Sequence, residues 1–253
     1  MQTFLKFQEL IAFLPQDEPF RRDLVGHFYE QKGEVLTEEN LKVRVNRLKA
    51  KGVIVNIGRG WYRLNNKRIF KPEITATVKK VNSKIRKNFP YLNYQLWSTQ
   101  WLNQLLTLQL LKSITIVEVE SGSEEAVFRN LKESFPYQTF LSPSDEEWAN
   151  YIADKEETIL VRSMISESPK ELHQGIRTPK LEKLLVDLYC DRLWQLLFSA
   201  EMENIFRESC EKFAINFSTL LSYSARRGKR TEIWQYIKEL HVLDSATIDL
   251  IER

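Results

Sequence analysis

The stretch TEENLKVRVNRLKAKGVIVNIGRGWYRL, residues 37–64, decides the fold of the first part of the chain. Leu41, Val45 and Leu48 have the i, i+4, i+7 spacing of one buried helical face. Thr37 precedes them as a predicted N-cap, and the two glutamates that follow it suit the positive end of the helix dipole. The stretch therefore begins with a predicted helix that extends to about Lys51.

Two short β-rich runs follow this helix and predict a hairpin. Gly52 ends the helix, and Val53–Asn56 and Trp61–Leu64 have the composition of strands. Gly58 and Gly60 lie between them and can supply the turn. A helix followed at once by a small hairpin is the second half of a winged helix. In that fold the helix can enter a major groove while the hairpin, or wing, reaches the neighbouring backbone.

Two further amphipathic patterns precede this stretch, one up to Leu14 and one over residues 20–31. Pro15 ends the first pattern and Gly33 ends the second. Three helices and a hairpin predict a winged helix-turn-helix domain over residues 1–71.

Most side chains outside the buried stripe, and two on the wing, are cationic or carry an amide. Arg and Asn pair bidentately with guanine and adenine edges, and Lys neutralises phosphates. The predicted DNA-binding residues are Lys42, Arg44, Asn46, Arg47, Lys49, Lys51, Arg59 and Arg63. A solvated, lysine-rich helix has a similar composition, and that alternative stays open.

The charge of the chain is unevenly distributed. Residues 1–88 hold 19 Lys and Arg against 9 Asp and Glu, a net of +10, and the rest holds 18 against 25, a net of −7. A basic head on an acidic body indicates that the head meets nucleic acid and the body does not, although an acidic body is also a common soluble surface.

Composition and hydropathy favour a folded cytoplasmic protein without a membrane segment. No apolar run approaches the length of a membrane span, and the first residues do not have the pattern of a signal peptide. The two cysteines, Cys190 and Cys210, form neither a metal signature nor a disulfide framework.

The remainder, residues 72–253, predicts a second domain in which strands and helices alternate. Ser113–Val119 and Thr158–Met164 read as buried strands with helical patterns between them, which indicates a small, partly parallel sheet. The segment from about residue 198 to residue 253 is helical throughout. The predicted fold class is mixed α+β: a winged helix-turn-helix, then an α/β domain with a small sheet and a helical C-terminal part.

Motifs of an enzyme are missing from the sequence. It contains no phosphate loop, dinucleotide fingerprint or HExxH. Glu118 and Glu120 resemble part of a magnesium-dependent nuclease site, but Glu120 stands where such a site needs lysine. We therefore predict no catalytic residue, no cofactor and no metal.

Two short motifs point to a family. The first is NIGRGWY at residues 56–62, and the second is TPKLEKLLVDLY at residues 178–189. We read the second motif as a helix capped by Thr178, with Pro179 at its first position. Lys183 lies one turn before Asp187 in this helix and can pair with it. With the layout of most of residues 1–197, the two motifs resemble the AbiEi-type antitoxins of bacterial type IV toxin–antitoxin and abortive infection systems.

The resemblance implies a transcriptional regulator that represses its own operon by binding duplex operator DNA. It also implies a body that counteracts a nucleotidyltransferase toxin, and no catalytic residue. Two other hypotheses stay open: a nuclease-like or other enzyme fused to a winged helix, and an adaptor whose winged helix binds protein. The sequence does not predict the oligomeric state.

Overall fold

The structure, a computed structural model, describes residues 2–58 and 60–252, and their side chains from Lys6 onward. It has the predicted mixed α+β fold with small sheets. The chain divides into two compact units, Met1–Phe70 with Arg207–Arg253, and Lys71–Phe206. Within the part described, none of the helices is both long and apolar enough to cross a membrane.

The element bounds, in chain order, are as follows. The helices are α1 Gln2–Phe13, α2 Arg22–Gln31, α3 Glu38–Ala50, α4 Ala76–Asn88, α5 Glu124–Ser134, α6 Asp145–Glu147, α7 Leu181–Cys190, α8 Arg192–Phe198, α9 Met202–Lys212, α10 Phe217–Arg226, α11 Arg230–Glu239 and α12 Ser245–Glu252. The strands are β1 Phe20–Arg21, β2 Ile54–Gly58, β3 Trp61–Leu64, β4 Tyr94–Ser98, β5 Ser113–Val119, β6 Thr139–Leu141, β7 Glu157–Ser163, β8 Lys170–His173 and β9 Ile176–Pro179.

In the first unit, α1, α2 and α3 pack on one face of an antiparallel sheet with the order β1-β3-β2. Ile54, Tyr62 and Leu64 point from the strands into the core that these helices share. The alternation of a strand sends the neighbouring side chains, Val55 and Arg63, to the opposite face. That face therefore needs a cover of its own.

The C-terminal helices supply this cover. Helices α10 and α12 contact β2, and a cavity of about 160 Å³ between them and the sheet is lined by Val55, Ile57, Phe213 and Leu243, among others. The Lys67 ammonium donates to the Cys210 carbonyl at 2.5 Å.

The sequence pattern assigns residues 72–253 to a second domain, whereas the structure groups the C-terminal segment with the first unit. Residues from Arg207 onward belong to the first unit. The physical reason is the apolar outer face of the sheet, which would otherwise expose Val55 and Ile57 to water. Strand alternation shows that this face exists, but local periodicity does not show which distant segment covers it.

The second unit is built on a mixed sheet with the order β4-β5-β7-β6. Strand β4 is antiparallel to β5, whereas β5, β7 and β6 are mutually parallel, as the alternation of strands and helices predicts. Helix α4 contacts β4, α5 contacts β6 and β7, and the hairpin of β8 and β9 contacts β4. Helix α7 is buried from Leu181 to Leu188, so it lies in the interior of this unit.

In this unit the predicted strands are found close to their predicted bounds, but the predicted start of helix α7 is wrong. Strand β5 has the predicted bounds, and β7 is shifted by one residue at each end. Thr178 and Pro179 lie in β9 rather than at the start of α7, whose N-cap is Lys180. Both residues stand opposite β8 in the antiparallel hairpin, so the Thr-Pro pattern does not mark a helix start here.

Gly58 tests how closely α12 covers the wing. A Cβ atom at Gly58 would lie 2.6 Å from the Leu250 carbonyl oxygen, whereas one at Gly60, with φ +78°, would meet nothing within 4 Å. We expect Gly58→Ala to cost about 1–3 kcal/mol through overpacking and to speed hydrogen exchange in α12. Gly60→Ala should cost about 1–2 kcal/mol through its left-handed backbone and leave α12 exchange unchanged. Unchanged α12 exchange in Gly58→Ala would contradict the packing described.

Candidate nucleic-acid interface

Helix α3 has a buried side and an exposed side at the predicted positions. Leu41, Val45 and Leu48 are buried in the core of the first unit. The Thr37 hydroxyl accepts a hydrogen bond from the Asn40 backbone at 3.3 Å and so caps the helix as predicted. The rotation of α3 about its axis is therefore the one that the sequence predicts.

The exposed side of α3 has two polar flanks with an apolar residue between them. Successive residues of a helix are about 100° apart, which sets the order around the axis. Val43, with 45% of its surface exposed, lies between the flanks. The flank toward α1 carries Arg44, Arg47 and Lys51, and the other carries Lys42, Asn46 and Lys49.

Arg44 is held in place by its neighbours. Its guanidinium lies 2.5 Å from the Glu34 carboxylate and 4.5 Å from the centroid of the Tyr29 ring, and its side chain is about one-third exposed. An arginine engaged in this way is not free to extend to a base edge. Lys51 lies on the same flank, with its ammonium 4.9 Å from the centroid of the Phe7 ring.

The hairpin of β2 and β3, which the sequence predicts to be a wing, is less open than the sequence suggests. Arg63 lies on the covered face of the sheet, where its guanidinium is 3.4 Å from the Asp244 carboxylate and its Nε atom is buried without a hydrogen-bond partner. Arg59, predicted at the tip of the wing, lies outside the described residues.

The structure thus separates the predicted DNA-binding residues into two groups. Lys42, Asn46, Arg47 and Lys51 are exposed on α3. Arg44 and Arg63 are engaged by carboxylates, and Lys49 is half-buried. Hydrophobic periodicity predicts the free side of a helix, but it does not predict which cations on that side find an acidic partner.

A second group of charged residues is buried in the second unit. The Lys183 ammonium lies 2.7 Å from Glu118 and 2.5 Å from Asp187, and the three side chains are at most 2% exposed. The Arg162 guanidinium lies 2.5 Å from Glu118 and 2.8 Å from Asp191. We call these five residues the buried charge cluster.

The cluster joins three elements of the second unit. Glu118 comes from β5, Arg162 from the parallel strand β7, and Lys183 and Asp187 from α7. The Lys183–Asp187 pair is predicted by its i, i+4 spacing and is confirmed. No sequence pattern indicates Arg162 or Asp191, because their partners lie far away along the chain.

Two carboxyl groups of the cluster, Glu118 and Asp187, have pKa values shifted in opposite directions. Burial alone would raise the pKa of Glu118, but Lys183 and Arg162 outweigh it and lower that pKa to about 2. Burial raises the pKa of Asp187, and the nearby Glu118 charge adds to the rise against the opposing effect of Lys183. Glu118 is therefore the carboxylate that the two cations stabilise most.

This arrangement bears on the nuclease-like hypothesis. Glu118 is buried and engaged by two cations, whereas Glu120 lies just beyond the end of β5 and is exposed. The two carboxylates do not share one environment. Among the residues described, no three or more His, Cys, Asp or Glu side chains are grouped so as to hold a metal ion.

Removing the central cation of the cluster should be costly. Lys183→Met leaves Glu118 and Asp187 buried beside each other, with the Arg162 guanidinium as the cation that remains in the cluster. We expect the free energy of unfolding to fall by about 3–5 kcal/mol. The matched control is Arg129→Met, which breaks an exposed i, i+4 pair of the same 2.5 Å separation and should cost less than about 0.5 kcal/mol. Urea denaturation measures both changes, and equal costs would contradict a stabilising role for the cluster.

The lowered pKa of Glu118 predicts an acid-dependent loss of stability. A carboxyl group with a pKa of about 2 in the folded state and about 4.3 when unfolded stabilises the fold above the higher value. This contribution is lost as the pH falls from about 4.3 toward 2. The stability advantage of the wild type over Glu118→Gln should therefore shrink across that range in urea titrations. A constant difference would show that Glu118 gains nothing from its ionisation.

A family model matches residues 40–242, which run from α3 into the loop after α11. The model describes a family of unknown function, DUF6577. No curated protein matches the chain. Because the match covers most of the chain and parts of both units, the protein belongs to the DUF6577 family.

Proposed function

We propose that the protein is a DNA-binding transcriptional regulator whose first unit contains a winged helix. One observation carries the proposal. Three helices, a short strand and a hairpin follow one another as α1, β1, α2, α3, β2 and β3, and the strands pair in the order β1-β3-β2. A helix capped at its start, anchored by three buried residues and followed at once by this hairpin is the arrangement that presents a recognition helix to a major groove.

The charged residues of α3 support duplex DNA as the ligand. In this proposal the exposed Lys42 and Lys51 contact phosphates, and Asn46 and Arg47 contact base edges. Arg44 supports the helix through Glu34 rather than reading a base. Arg63 positions the wing against Asp244.

We further propose that the protein acts as an antitoxin of the AbiEi type. It would repress its own operon in the cytoplasm and counteract a nucleotidyltransferase toxin encoded beside it. The resemblance of residues 56–62 and 178–189 motivates this part of the proposal. The free thiols of Cys190 and Cys210 agree with a reducing compartment. In this proposal the protein has no enzymatic activity, metal or cofactor of its own.

One observation favours the adaptor hypothesis as a second candidate. Val43 lies between the two polar flanks of α3 and exposes 45% of its surface. An exposed valine there can contact a thymine methyl group, but it can equally pack against a partner protein. The DNA-binding experiment below distinguishes the two candidates.

We expect salt-dependent binding to duplex DNA upstream of the protein's own gene. Lys42→Ala and Lys51→Ala should weaken binding to all sequences, and each should reduce the slope of log affinity against log salt by about 0.9. Changing Asn46 and Arg47 to alanine should instead lower discrimination between operator and scrambled DNA by about 1–3 kcal/mol per lost base contact. Fluorescence anisotropy at several salt concentrations measures both effects.

The matched control is Lys132→Ala on α5, which removes one exposed cation from the second unit and should leave the slope unchanged. If the wild type shows no salt-dependent binding to operator DNA or to scrambled DNA, the adaptor hypothesis replaces this proposal. If the double change at Asn46 and Arg47 leaves discrimination intact, α3 is not the reading element.

A further inference from the structure

A cleft of about 330 Å³ opens beside α3 in the first unit. It is lined on one side by Arg44 and Arg47 of α3 and by Lys51 at the C-cap of that helix, and on the other by Lys6 and Phe7 of α1. Its volume lies at the lower end of the range of small-molecule sites, which is about 300–1,000 Å³. The cleft is therefore large enough for a small organic ligand.

The lining of the cleft is strongly cationic. Four cationic side chains face a single carboxylate, that of Glu34, which lies 3.5 Å from Lys6 and 2.5 Å from Arg44. A recess whose walls carry an excess of one charge concentrates ions of the opposite sign. The cleft should therefore attract anions.

Two of these cations already contact other groups of the cleft in the absence of a ligand. Glu34 and the Tyr29 ring fix the Arg44 guanidinium, and the Lys51 ammonium lies over the Phe7 ring. Cations that are already positioned lose little freedom on binding, which favours affinity. The two rings and Leu48 also give the cleft an apolar wall for the body of a ligand.

The same features favour a small anion over the backbone of DNA. Arg44 is only about one-third exposed, and Glu34 is part of the lining. If a polyanion such as DNA approached Arg44, the Glu34 carboxylate would repel several of the phosphate charges of that polyanion. A small ligand can bring one anionic group to Arg44 and Arg47 and place a hydrogen-bond donor against Glu34.

We infer that this cleft binds a small organic anion, a carboxylate or phosphate ester with an apolar body. The binding of the anion does not depend on the proposed function. The effect of the anion on regulation does, because it rests on the proposed binding of DNA by α3. Arg47 and Lys51 belong both to the cleft and to the proposed DNA-binding side of α3. An anion held by these two residues competes with DNA for them, so the ligand lowers the affinity for the operator.

The test uses salicylate and adenosine monophosphate as probes, with inorganic phosphate as the comparison. We expect at least one of the two organic anions to bind the full-length protein saturably by calorimetry, at least 10-fold more tightly than inorganic phosphate. Arg44→Gln and, as a second variant on the exposed surface, Arg47→Gln should each weaken that binding at least 10-fold. Circular dichroism establishes that both variants are folded.

The matched control is Arg22→Gln, which removes a cation that is paired with Glu38 at 3.0 Å and does not line the cleft. It should leave probe binding unchanged. The inference is overturned if neither organic anion binds more tightly than inorganic phosphate, or if binding is the same in both cleft variants as in the wild type.

Probe binding is measured without DNA, and DNA binding of the wild type is measured without probe. The two proposals therefore fail separately. When both bindings occur, adding the tighter probe at saturation should weaken operator binding at least 5-fold. An unchanged operator affinity would overturn the proposed effect of the anion on DNA binding. If DNA protects the cleft and neither organic anion binds, the cleft is part of the DNA contact and the inference is overturned.

Discussion

The rotation of α3 about its own axis is the constraint on which the functional surface depends. Leu41, Val45 and Leu48 are buried against α1, α2 and the sheet, so turning the helix by one residue would place a charged side chain in the core. Each of these side chains contributes about 1.5–3 kcal/mol when it is fully buried, which is far more than an exposed ion pair provides. The apolar stripe, and not the charges, therefore decides which side of α3 faces away from the core.

The sheet beside α3 is packed on both faces, and this restricts the hairpin of β2 and β3 to one shape. Its inner face belongs to the core with α3, and its outer face is covered by α10 and α12. A hairpin free on one face can adjust to a ligand, whereas a hairpin packed on both faces keeps its shape. Because Gly58 lies against the Leu250 carbonyl and Arg63 is engaged by Asp244, the outer face of the hairpin is already occupied by the chain itself.

The sequence predicts the elements that have a strong local pattern and fails where distant segments meet. The stripe of α3, its Thr37 cap and strand β5 follow from periodicity and capping, which are local properties. The helices that cover the outer face of the hairpin and the partners of Arg162 do not follow from local patterns, because residues far apart along the chain supply them. Thr178 and Pro179 show a third case, in which the tertiary context places a typical helix start in a strand.

The ion pair between Arg44 and Glu34 decides how the cations of α3 are distributed between the cleft and the open face of the helix. Glu34 takes Arg44 out of the solvent-facing set and, by fixing it, turns one flank of the helix into the wall of a cleft. Arg47 and Lys51 remain at the boundary between that cleft and the open face. Two ligands that need the same two cations must lower each other's affinity by an equal factor, because the coupling between binding sites is reciprocal. Under the two proposals, a cationic flank shared in this way would link the binding of a small anion to the binding of DNA by α3 without any change in the fold.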